Sequence, residues 1–73
     1  MQIIEITTEY IKMDQLIKFA GIVANGSDAK LMIADGLVRI NGDLCTQRGK
    51  KIRNGDIIEV KDFETLEVKG PIS

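Results

Sequence analysis

The sequence predicts an α+β fold in which two short N-terminal helices pack on a small, mainly antiparallel β-sheet. Three observations carry this. Apolar residues recur at helical spacing in two stretches between Met13 and Asp35, the period shortens to two after Gly36, and an Asn41-Gly42 turn divides the first alternating run. With 73 residues, 44% apolar and 29% charged, the chain has a globular balance and room for one small core. One domain over 1–73 is expected.

Gln2 to Thr7 sets Ile4 and Ile6 in alternation beside Ile3 and reads as a strand. Met13, Leu16, Ile17 and Ala20 then form one apolar helical stripe, with Asp14 in the first turn, where an anion suits the helix dipole, and Gly21 as a stop. A second helix spans Gly26 to Asp35: Asn25 caps it, Asp28 sits three residues on as in a capping box, and Gly36 suits a left-handed C′ position. Ala29, Met32 and Ile33 are its buried face, and Leu31 points away. Val38 and Ile40, the Asn41-Gly42 turn and Leu44 make a hairpin. Arg48-Gly49-Lys50-Lys51 is a polar connection, and Asn54-Gly55-Asp56 turns the chain into Ile57, Ile58 and Val60, followed by a last strand at Leu66 and Val68. Residues 70–73 are expected to fray.

The net charge of −1 conceals a strong segregation. Residues 30–53 hold six basic groups against two acidic ones, whereas the flanking segments are both acidic. A local patch of this kind attracts phosphate even when the total is near zero. Cys45 has no partner for a disulfide, and with no histidine to activate it, a half-buried strand position fits it better than a nucleophile does. There is no apolar leader and no stretch long enough to span a membrane, so a cytoplasmic chain without membrane contact is expected. The Asn25-Gly26-Ser27 sequon then has no consequence.

From Lys12 to Val60 the order of signals resembles the RNA-binding domain named after small-subunit ribosomal protein S-four, also called the alpha-L motif. Lys12-Met13-Asp14 matches the basic-apolar-Asp opening of that family's first helix, and Leu16 and Gly21 fall on its next markers. Ala29-Lys30, Ile33 and Gly36 match its second helix. Gly36-Leu37-Val38-Arg39-Ile40-Asn41-Gly42 matches its Gly-x-Val-x-Val-Asn-Gly stretch, and Gly55-Asp56 its closing turn. The match departs at Asn25-Gly26, where the family often has Ser-Arg, so one RNA-facing arginine is missing. Short length and the extra N-terminal strand are similar to stand-alone bacterial members of the YbcJ/YaaA type.

The resemblance implies non-catalytic binding of structured RNA, ribosomal or transfer RNA-like, in translation. The basic residues supply the chemistry. Lys12, Lys30, Arg39, Arg48, Lys50, Lys51 and Arg53 offer charge-assisted hydrogen bonds to phosphate, arginine adding a bidentate fork. Gly49 would let the backbone approach RNA closely. Lys30 and the cations between Arg39 and Arg53 are expected to converge because helix and hairpin both flank the turn at Gly36. None of Tyr10, Phe19 and Phe63 lies in an aromatic-basic sheet motif, so recognition of backbone shape is expected to outweigh base stacking.

Rival classes have less support. No histidine, cysteine pair or phosphate-binding glycine loop suggests an enzyme, a metal or a cofactor. A sulfur carrier would need a terminal Gly-Gly. A protein-interaction module of the ribosome or another nucleoprotein complex, using the acidic ends and Leu31, is the stronger alternative. A monomer is the expected state.

Overall fold

The computed structural model describes residues 1–71. In chain order the elements are β1 (Gln2–Glu5), β2 (Ile11–Lys12), α1 (Met13–Phe19), α2 (Gly26–Ala34), β3 (Val38–Ile40), β4 (Asp43–Leu44), β5 (Lys51–Ile52), β6 (Ile57–Val60) and β7 (Leu66–Lys69). Five strands form one sheet in the order β1-β7-β6-β3-β4, parallel only between β1 and β7. The fold is α+β, as the periodicities predict.

At seven residues α1 is too short to persist alone, so burial of its stripe holds it in place. Met13, Leu16 and Ile17 meet Ala29 and Ile33 of α2 and the inward row Ile4, Val38, Ile58, Val60, Leu66 and Val68 of the sheet, with no buried polar residue among them. Met32 is only partly buried, at the rim. Each fully buried Leu- or Ile-sized side chain contributes about 1.5–3 kcal/mol, so this layer dominates the stability of so small a chain. Both helices end in paired Schellman bonds. At α2 the Gly36 amide donates to Ile33 and that of Leu37 to Met32 (3.1 and 3.2 Å), and Gly36 takes φ +77°, which favours glycine. Asn25 caps the start of α2, its Oδ1 accepting from the Asp28 amide at 2.9 Å.

Several boundaries differ from the sequence reading. The first strand stops at Glu5 rather than Thr7, and the second helix stops at Ala34, with Asp35 as its C-cap. Cys45 is more buried than expected and lies just past β4, its amide still donating to the Val38 carbonyl. The expected fraying of 70–73 fails at Gly70. Its amide donates to Asn54 Oδ1 (3.1 Å), and a Cβ placed there would lie 2.8 Å from Cγ1 of buried Ile6. Ile72 and Ser73 lie outside the described residues.

Candidate nucleic-acid interface

The element that organises the basic residues is a second, two-stranded sheet, which the sequence reading did not foresee. β2 and β5 pair antiparallel, Ile11 opposite Ile52 and Lys12 opposite Lys51. Ile52 is fully buried and Ile11 partly so, which turns the alternate residues outward. Carrying the register one residue further sets Tyr10 opposite Arg53, on the same side as the two lysines. In the other direction the ladder runs on to Met13, whose amide donates to the Lys50 carbonyl at 2.9 Å. Narrow and wide pairs alternate in such a ladder, so Lys12 and Lys51 form the non-hydrogen-bonded pair, whose side chains are closer.

The same contacts explain how a lysine can stand at the N-cap of α1. Lys12 makes no side-chain cap there, and a cation is the wrong charge for a helix start. The main chain of the basic loop fills the role instead. Lys50 and Arg48 carbonyls accept from the Met13 and Asp14 amides (2.9 and 3.1 Å), and the Asp14 carboxylate accepts from the Gln15 amide at 2.8 Å. These amides are therefore engaged and are not a phosphate site. The loop is clamped through its backbone, which leaves its charged side chains free to project.

The aromatic ring of Tyr10 lies against two cations of the opposite segment. Lys51 Nζ is 4.9 Å and the Arg53 guanidinium carbon 5.7 Å from the ring centroid. Among the described residues the salt bridges are Lys69 with Glu67 and the N-terminal amine with Glu64. None of the sequence-selected cations is neutralised by a carboxylate in this way. Lysines directly opposite each other in a ribbon repel, so the arrangement is maintained by burial of Ile52 and by the clamp on α1 rather than by its own charges.

A second bracket holds the far side of β5. Asp56 Oδ2 accepts from the Arg53 amide at 2.8 Å, and its Oδ1 accepts from Asn41 Nδ2 at 3.1 Å. Asn41 Oδ1 in turn accepts from the Ile57 amide at 2.9 Å. The Asn41-Gly42 turn has positive φ at both positions, 49° and 89°, as a type I′ hairpin requires. Thus the family-like Asn-Gly and Gly-Asp signatures are one hydrogen-bonded unit that positions Arg53.

The structure joins Lys12, Lys51 and Arg53 on the ribbon face, with Arg48, Gly49 and Lys50 in the loop that continues it. No hydrogen bond, ion pair or strand pairing among the described residues links Lys30 or Arg39 to them. Lys30 is exposed on α2. Arg39 leaves the sheet on the side away from the helices, opposite Glu59, and reaches the Gly42 carbonyl at 3.4 Å. The cations that meet do so at the start of α1, through strand pairing between segments about forty residues apart, rather than at the turn of Gly36 itself. Gly49 has no neighbour that a Cβ would meet and no positive φ, so neither packing nor backbone geometry requires glycine there. Tyr10, which the sequence reading leaves out of the site, precedes β2 and stands against two of the site's cations. The available signal was the matching pair Tyr10-Ile11-Lys12 and Lys51-Ile52-Arg53, each an isoleucine between two outward residues.

A small α+β domain with a capped helix pair and a basic ribbon at its edge defines the class, and comparison agrees. The sequence matches the S4 domain over residues 4–69, and the chain belongs to that family. Membership brings an RNA-binding or ribosome-associated role. The chain is also similar to the Bacillus subtilis (strain 168) protein named "Probable ribosome maturation protein RlbA", with 32% identity over 65 residues that cover 89% of this chain and 92% of the relative. No helix among the described residues is long and apolar enough to cross a membrane.

Proposed function

We propose that this chain binds structured RNA of the ribosomal or transfer class, without catalysis, by holding phosphates on the ribbon and loop cations Lys12, Arg48, Lys50, Lys51 and Arg53. The observation that carries the reading is the outward pair Lys12–Lys51, left without a carboxylate partner among the described residues and fixed by backbone bonds on either side. Such a site is preorganised for an anion: like charges that repel in the free protein are relieved when phosphate arrives. Arg39 and Lys30 are proposed as further phosphate contacts outside the ribbon, and the open surroundings of Gly49 leave room for RNA beside the loop. The relative's name, "Probable ribosome maturation protein RlbA", supports a ribosome-associated role, and we take ribosomal RNA as the first partner to test for a chain proposed to act as a monomer in the cytoplasm.

The test is replacement of Arg48, Lys50, Lys51 and Arg53 together by glutamine, with affinity for a ribosomal RNA hairpin read by fluorescence anisotropy. Binding is expected to weaken by at least about 100-fold, from charge-assisted contacts worth roughly 1.5–3 kcal/mol each. The far-ultraviolet circular dichroism should not change. Undiminished binding by the folded variant would favour the protein-interaction reading instead.

A further inference from the structure

We propose that Tyr10, with Lys51 and Arg53, forms a site for an unpaired nucleotide, whose base stacks on the phenol ring while its flanking phosphates take the two cations. The inference rests on the RNA-binding reading above and narrows the class of RNA, from any duplex to one interrupted by a bulge, junction or single-stranded end.

Three observations lead there. Among the described residues both cation–π contacts fall on this one ring, although Phe19 and Phe63 are more exposed. The ring stands on the outward face of the ribbon, one pair along from Lys12–Lys51, with its segment held by the Thr8 hydroxyl donating to the Tyr10 carbonyl at 2.7 Å. And no carboxylate competes for Lys51 or Arg53 among the described ion pairs. A cation resting on a partly exposed ring is weakly held, whereas a phosphate binds the same cation by charge-assisted hydrogen bonds and a base gains more from the vacated ring than the cation did. A nucleotide therefore replaces the two weak cation–π contacts by two cation–phosphate contacts and one base stack. Arg53 can also close the stack, since a guanidinium plane packs on a base as an aromatic ring does. The stacking is tolerant of base identity, because every base has a π-face, so preference falls on the unpaired state rather than on a sequence.

The test uses two RNA hairpins of equal charge closed by the same tetraloop, one with a fully paired stem and one whose stem carries a single bulged 2-aminopurine, with the wild type and the variants Tyr10→Leu and Tyr10→Phe. The wild type is expected to bind the bulged hairpin about tenfold more tightly than the paired one and to quench the 2-aminopurine. Tyr10→Phe should keep both effects. Tyr10→Leu should lose both while holding the paired hairpin within about twofold of wild type. Equal weakening of both hairpins by Tyr10→Leu would overturn the stacking site, leaving the ring only to position Lys51 and Arg53, and so would a wild type without preference for the bulge. Failure of the wild type to bind either hairpin would overturn the RNA-binding reading itself.

Discussion

The five-stranded sheet with its helices and the two-residue ribbon β2–β5 are built on opposite terms. In the first, every local rule agrees: apolar periodicity, helix caps and the I′ turn all point to one packing, and no polar side chain is buried. In the second, Lys12 occupies a helix N-cap that favours other residues and faces another lysine across the strand. Sequences that fold well tolerate such local conflicts mainly at functional sites. The contrast teaches that stability resides in the large layer, which then holds a charged ribbon that would not form alone.

The most damaging way to break the comparison is in the core. Leu16→Ala removes a fully buried side chain from α1 and is expected to cost about 3 kcal/mol, a large part of the stability of a 73-residue chain, read as a lower urea midpoint at constant slope. RNA affinity should fall only as far as the folded fraction does. Asn41→Ala acts at the seam between the two regions. It removes both bonds to the Asp56 turn and leaves an alanine at φ 49°, for an expected loss of about 2 kcal/mol by the same melt, together with a several-fold weaker RNA affinity because Arg53 loses its support. Lys12→Glu has the smallest effect on stability and is the sharpest test. It replaces repulsion across the ribbon by attraction and suits the helix start, so the protein should gain about 0.5 kcal/mol, roughly 2–4 °C in Tm, while binding RNA less tightly. A destabilised Lys12→Glu variant would mean that the lysine is retained for folding.

How much was legible in the sequence follows the same division. Met13, Leu16, Ile17 and Ile33 declare themselves by helical spacing, and Val38, Ile40, Ile58 and Val68 by alternation, because each element there is long enough to show its period. The basic side chains were also legible as a cluster along the chain. Their gathering place was not: two residues per strand show no period, and pairing across about forty positions is set by tertiary packing of Ile52 and by the caps on Met13 and Asp14. Tyr10 is not legible for that reason, and strand alternation turns Arg39 to the face opposite buried Val38.

The central claim, phosphate held by preorganised cations, is tested most directly by the salt dependence of RNA affinity. With about four phosphates engaged, log affinity should fall against log salt concentration with a slope near −3, and the glutamine variant at Arg48, Lys50, Lys51 and Arg53 should flatten it towards zero. A flat dependence in the wild type, or an unchanged slope in the variant, would contradict it.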